Sequence, residues 1–283
     1  GAPGMICFRS VPTRKHSLLP ARNTLEGVRG PRTARTTFVA RRQLWSPVRR
    51  SLGRDMCAWR CGGGTNEELV NNLNANDIIK TQRVRESMLA TNRANYVPSS
   101  YSAREAYDDR PLSIGSNATI SAPHMHASCL EMLADLLVPG GCALDVGAGT
   151  GFLTTAMAHM LGDTGKVYGV EHVQALVEQA RRNVERDAPA LLSSGRVELV
   201  CGDGRLGWPP GAPYDCIHVG AAAERVPPAL KEQLKVGGSL VIPVGPAEGA
   251  QEIRLITRTA DKSWTDDAIM GVRYIPLTDL HSQ

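Results

Sequence analysis

The sequence predicts an α/β fold built on a mostly parallel, doubly wound sheet with an antiparallel C-terminal edge. Three observations predict it. From Cys142 onward, short apolar runs alternate with helix-periodic segments, the pattern of strand–helix–strand units. The first run ends in Asp145 and turns through Gly147, Gly149 and Gly151 into an apolar-periodic stretch, as the first strand–turn–helix of a Rossmann-like sheet does. Two late segments, 253–257 and 268–274, alternate like strands with no helix between them, which suits an antiparallel pair.

The elements follow in order. Thr65-Asn-Glu-Glu68 predicts a capping box opening a helix with Leu69, Val70 and Leu73 on one face. A second helix is expected over 81–90, carrying Val84, Met88 and Leu89. Residues 92–120 read as a connecting region containing Tyr96, Tyr101, Tyr107 and a turn at 111–115. Pro123 opens a helix bearing Met125, Leu130, Leu133 and Leu137, and Ser121 stands where an N-cap is expected. Strands are expected near 142–146, 166–170, 196–200, 214–219 and 239–244, with helices near 151–160, 173–186 and 227–234.

Charge divides the chain. Residues 1–55 hold 12 Lys and Arg against 2 acids, and residues 56–283 hold 20 against 26. The first segment, rich in Arg, Ser, Thr and Pro without periodicity, reads as a disordered leader over 1–56, transit-like or upstream-translated. The single domain is then 57–283, with a helical subregion over 65–137. Its mildly acidic balance argues against a duplex nucleic-acid binder. No 18-residue apolar run is present, so no membrane span is expected. Seven cysteines form no C-x-x-C pair, several sit in apolar patterns, and together they suit a reducing compartment rather than structural zinc. The expectation is a cytoplasmic protein, or an organellar one if the leader is a transit peptide, and a monomer.

The glycine spacing narrows the ligand. Dinucleotide folds use G-x-G-x-x-G with a pyrophosphate at the helix N-terminus; here the third glycine comes one residue early, behind an acid. That spacing suits S-adenosylmethionine, whose ammonium Asp145 can help hold. In such a sheet ligands bind beyond the carboxyl ends of the strands. There Glu171 is placed to accept from both ribose hydroxyls and Asp203 from the adenine amino group, with Gly204 leaving space for the ring. Asp215, at the start of its strand, is expected to cap or pair. After the fourth strand stands His218-Val-Gly-Ala-Ala-Ala-Glu224, where an amino-directed DNA methyltransferase carries an Asn/Asp-Pro-Pro-aromatic box; Pro209-Pro210 lies elsewhere and lacks the preceding acid or amide. His124 and His126, two apart, have no third ligand at metal spacing, so no metal is expected.

Five segments together resemble the protein-L-isoaspartate (D-aspartate) O-methyltransferase family: residues 114–126 (Ile-Gly-Ser-Asn-Ala-Thr-Ile-Ser-Ala-Pro-His-Met-His), 145–151, 202–205, 218–223 and 276–278. The likeness runs from about Trp59 to the C-terminus. It implies a Rossmann-like S-adenosylmethionine-dependent methyltransferase acting on the free α-carboxylate of isoaspartyl residues in damaged peptides and proteins. It also implies that Ala118, Thr119, Ile120, Ser121 and His126 line the cofactor and substrate cleft, with Ser121 the active-site serine. Thr278 and Gln283 match cofactor-side positions, and His172 beside Glu171 completes the set. A carboxylate is already ionised near neutrality, so alignment rather than a general base is expected to carry the reaction. The alternatives are a different O-methyltransferase, which lacks the 119–126 block, and a non-catalytic cofactor-binding adaptor, which is expected to lose the cofactor acids. The chain departs from the family in extra residues around 99–106, in a tail that stops at Gln283, and in the basic leader.

Overall fold

A computed structural model describes residues 61–278. The leader and Gln283 lie outside the described residues. Helix α1 (Asn66–Ala75) starts at Thr65, whose hydroxyl accepts from Glu68 N, but the Glu68 carboxylate accepts from Gly64 N, one residue before the cap, so only half of the expected capping box forms. Thr81 caps α2 (Gln82–Ala90). The region expected to be mere connection is structured. A 3₁₀ turn spans 93–96, and α3 (Ala103–Ala106), within the extra residues, carries a full capping box between Ser102 and Glu105. Then β1 (Leu112–Gly115) pairs with β2 (Ala118–Ile120) as a hairpin, so the expected turn at 111–115 is a strand. The turn itself is Ser116-Asn117, both at positive φ (49° and 50°).

Helix α4 (Pro123–Leu133) has Ala122 at its N-cap and stops before Leu137, which is buried in the turn beyond. There follow β3 (Cys142–Val146), α5 (Phe152–Met160), β4 (Lys166–Glu171), α6 (Gln174–Asp187) and the unforeseen short α7 (Pro189–Ser193). The chain continues through β5 (Val197–Cys201), β6 (Tyr214–Val219), α8 (Pro228–Glu232) and β7 (Leu234–Val244), so the last parallel strand begins five residues earlier than expected. Finally β8 (Gln251–Ala260) and β9 (Ser263–Val272) form the antiparallel pair, the second displaced from the expected 268–274.

The main sheet has the order β5-β4-β3-β6-β7-β8-β9, parallel through β7 and antiparallel beyond it. Because successive strand residues point to opposite faces, Val241 joins the core under α1, α2, α4 and α5, while its neighbours Leu240 and Ile242 join a second core on the other face with Leu144, Ile217 and Leu230. Burial on both faces makes the parallel strands near-continuous apolar runs. Asp215 pairs as expected: its Oδ2 accepts from Cys142 N and from Lys235 Nζ, each at 2.7 Å, tying β6 to β3 and β7. The strand ends therefore stand in register where the ligand edge of the sheet lies.

Candidate active site

The glycine turn between β3 and α5 forms the floor of a cleft. Gly147, Gly149 and Gly151 all have positive φ (75°, 53° and 85°), a conformation that side-chain-bearing residues avoid. They do different work. A Cβ at Gly149 would meet Ile114 Cδ1 of the hairpin at 3.4 Å, whereas one at Gly151 would meet Ala180 and Val184 of α6 at 3.3 Å. The first two glycines line the cleft, and the third lets α5 pack on α6.

Thr119, Ile120, Ser121, His126, Asp145, Gly147 and Gly149 come together around this cleft, as the sequence anticipated. Thr150, Phe152, Leu153, His218 and Gly220 join them without having been assigned a site role from the sequence. Ala118 is buried at the start of β2 and holds the hairpin rather than the cleft wall.

Ser121 is not a helix cap. Asp109 fills that role from fifteen residues upstream: its Oδ1 accepts from His124 N at 2.9 Å and meets His124 Nδ1 at 2.8 Å. The Ser121 hydroxyl is thus spared for the cleft. The two histidines consequently diverge. His124 is bound to Asp109, while the His126 ring stacks on Phe152 at 4.9 Å, and Phe152 meets Tyr96 edge-on at 5.5 Å. Burial, with the nearby Arg93 cation adding to it, holds His126 well below its usual pKa, so it is neutral. No group of three metal-binding side chains occurs among the described residues.

The strand-end acids are all in place, but each is already engaged. Asp145 Oδ1 lies 2.8 Å from His218 Nδ1, and Oδ2 accepts from Thr154 Oγ1 at 2.6 Å. Burial alone would depress the His218 pKa; the hydrogen bond to Asp145, aided by Cys129, prevails and lifts it to about 10. Glu171 Oε2 accepts from Gly149 N at 3.0 Å and Oε1 from Val173 N at 3.1 Å, so this acid braces the glycine turn from the neighbouring strand. Its carboxylate retains lone pairs for ribose hydroxyls. Asp203 holds Arg205 in a fork at 2.6 to 3.1 Å, which, together with the Arg205 backbone and His172, keeps its carboxyl below the usual range.

Gly204 corrects the sequence reading. A Cβ there would lie 2.3 Å from Val146 Cγ1, so the missing side chain makes room for β3, not for a nucleobase. Thr278 lines a second cavity, of about 390 Å³, together with Arg205, Ala222, Glu224 and Leu277. Its hydroxyl is buried without a partner.

Two more orphaned polar atoms, His126 Nδ1 and Thr150 Oγ1, line the cleft itself. Buried polar atoms are ordinarily paired. Unpaired groups around a glycine cradle fit the amino-acid end of S-adenosylmethionine, which brings both donors and acceptors.

Comparison with known proteins agrees. The profile of the protein-L-isoaspartate(D-aspartate) O-methyltransferase family matches residues 64–282. A protein-L-isoaspartate O-methyltransferase of Triticum aestivum is 48% identical over 77% of this chain and 93% of its own length. The Caenorhabditis elegans enzyme of that name is 43% identical over 80% and 98%. A Plasmodium falciparum crystal structure, described as a protein-L-isoaspartate O-methyltransferase in complex with S-adenosyl-L-homocysteine, superposes with a TM-score of 0.69 at 32% identity, covering 76% of this chain and 98% of that one.

Proposed function

The chain belongs to the protein-L-isoaspartate (D-aspartate) O-methyltransferase family, and from that membership we infer its reaction and the residues that carry it. It transfers a methyl group from S-adenosylmethionine to the free α-carboxylate of L-isoaspartyl residues in damaged peptides and proteins, D-aspartyl residues being the family's second substrate. The following peptide nitrogen then attacks the ester carbonyl and expels methanol, closing a succinimide without further help, and water opens part of that to normal aspartate. The result is repair. The intact acids Asp145, Glu171 and Asp203 and the preserved 119–126 block count against the non-catalytic adaptor.

When bound, S-adenosylmethionine supplies an electrophilic methyl group on a sulfonium. Gly147, Gly149, Thr150 and His126 would hold its amino-acid end, and Glu171, His172 and Asp203, at the ends of β4 and β5, would take its nucleoside. Thr278 lines the second cavity together with Arg205. The chain's own task is to align a carboxylate oxygen with that methyl group. Alignment of reactants contributes as much as roughly 7–11 kcal/mol in the best intramolecular cases. No general base is needed, because the substrate carboxylate is ionised at neutral pH.

Ser121 does the orienting in this reading, donating its hydroxyl proton to one carboxylate oxygen. The observation that carries it is the relief of Ser121 from capping: Asp109 serves α4, and the serine hydroxyl is left on the wall of the glycine cleft. Among the described residues five cysteines are free, three of them buried, which supports the proposal of a reducing compartment such as the cytoplasm. Among the described residues no helix is long and apolar enough to cross a membrane.

The test is methyl transfer from labelled S-adenosylmethionine to two short peptides differing only in an isoaspartyl or aspartyl residue. Base-labile label on the isoaspartyl peptide alone is the expected result. Equal labelling of both, or of neither with cofactor binding intact, overturns the substrate assignment.

A further inference from the structure

The β1–β2 hairpin is one wall of the cleft and leads directly into Ser121, yet little ties it down. Leu112, Ile114, Ala118 and Ile120 pack on the core, while Ser113 and Thr119, register partners, stand on the exposed face. Among the described residues a single hydrogen bond joins residues 112–120 to another element: Ser113 N donates to Tyr101 Oη at 3.1 Å. Tyr101 is itself firmly held. Its ring is partly buried against the core, and its N–H donates to Pro98 O at 3.1 Å. The next residues form α3, closed by the Ser102–Glu105 capping box. Fully buried Arg93 secures the far end of this segment, its Nε donating to Ala106 O at 3.0 Å and its Nη2 to Arg110 O at 3.3 Å. The extra residues around 99–106 are thus a fixed bracket, and Tyr101 is its one hydrogen-bonded link to the hairpin.

We propose that Tyr101 is a positioning residue for the acceptor peptide: by latching Ser113 it holds the hairpin, with Thr119 and Ser121, at the distance from the glycine turn that an isoaspartyl chain needs. The proposal rests on the reading of this cleft as the isoaspartyl site. The glycine turn belongs to the main sheet and is braced by Glu171, so the cofactor's seat does not depend on the latch. Without the latch the hairpin keeps its apolar packing but occupies the competent position for a smaller fraction of the time. A peptide then selects that fraction, its apparent affinity falls by the same factor, and turnover at saturation is kept. Tyr101 therefore acts on KM and not on kcat.

The experiment measures kcat and KM on one short isoaspartyl peptide at saturating S-adenosylmethionine, with the S-adenosylhomocysteine Kd alongside, for wild type, Tyr101→Phe, Ser113→Pro and the double variant. Phenylalanine keeps the ring and removes only the acceptor. Proline at 113 removes the donor, on a strand edge where proline is tolerated. The expected result for each single variant is a rise in KM of about three- to tenfold, the worth of one neutral hydrogen bond, with kcat and the cofactor Kd within about twofold of wild type. Adding Tyr101→Phe to Ser113→Pro should move KM by less than about twofold more, because both changes delete the same bond. An unchanged KM in Tyr101→Phe overturns the proposal, as does a fall in kcat without a rise in KM. A cofactor Kd that rises as much as KM also overturns it, since the hairpin would then serve the cofactor. Losses that add in the double variant overturn it too. A tyrosine that only stabilised the bracket would lower the melting temperature and leave KM in place. If Ser113→Pro disrupts β1, the split between KM and kcat in Tyr101→Phe decides alone. A wild type that leaves the isoaspartyl peptide unmethylated removes the reading of the cleft and this proposal with it; an active wild type beside an indistinguishable Tyr101→Phe removes the latch alone.

Discussion

Asp145 and His218 are register partners on the adjacent parallel strands β3 and β6, and their side chains meet at 2.8 Å in a site almost closed to solvent. The imidazole, lifted to about 10, is cationic at neutral pH, so the carboxylate beside the glycine turn is already compensated by its own chain. It therefore presents an oriented dipole to a ligand more than a bare negative charge.

This pairing has a pH signature. A folded-state pKa raised above the unfolded value of about 6.5 gives stability that is complete below pH 6.5 and declines as pH rises toward 10. The slope from this one group is at most about 1.4 kcal/mol per pH unit. Asp145→Asn removes the acceptor charge, and burial then keeps His218 neutral. Chemical denaturation between pH 6.5 and 9 should show a downward slope in wild type that is flatter in the variant. Parallel slopes would mean that His218 is not protonated in the folded protein.

Ser121→Ala is expected to lower kcat on an isoaspartyl peptide by about ten- to a hundredfold, the range for loss of one orienting hydrogen bond to a charged group. Calorimetric affinity for S-adenosylhomocysteine should stay within about twofold, because the hydroxyl serves the acceptor and not the cofactor. A loss confined to cofactor affinity would reassign the residue.

Glu171→Gln keeps the shape of the side chain but turns one of two engaged acceptors into a donor. Gly149 N or Val173 N then faces an N–H group, and the glycine turn loses its brace. The Kd for S-adenosylhomocysteine should rise by about tenfold or more, measured by the same titration. An unchanged Kd would show that the turn holds its form without help from β4.

Gly204→Ala separates packing from ligand contact. The added methyl falls against Val146 Cγ1, a fully buried side chain, so overpacking of about 1–3 kcal/mol is expected in urea unfolding. Wild-type stability combined with weakened cofactor binding would restore the nucleobase reading of this glycine.

The parallel half of the fold was legible because strands covered on both faces must be apolar along their length: β3 starts and ends where the run from Cys142 to Val146 does. The first half of β9 was missed because residues 263–267 are mostly exposed, so the apolar alternation begins only at 268. The β1–β2 hairpin escaped notice for another reason. Its strands have four and three residues, and its turn is Ser-Asn where Asn-Gly is the familiar signal. In the site, acids at strand ends could be read from spacing alone. What could not be read was the prior engagement of Asp145, since Thr154 and His218 reach it through the fold's geometry. Asp109 capping α4 and Gln251 fastening Tyr274 belong to the same class, contacts across fifteen and twenty-three residues that no local window contains. His218 stood within a segment noted for its small residues, and a buried histidine one strand over from Asp145 was the clue it held.

The sheet ends on an even number of reversals. β7 runs with the parallel strands, β8 runs back and β9 runs forward again, so the chain leaves β9 at the same edge where β3 and β6 deliver Asp145 and His218. With one hairpin strand fewer, residues 273–278 would emerge at the opposite rim, far from Ser121. Parity of strand count, a property no single residue carries, is thus what brings residues 273–278 home to the reaction.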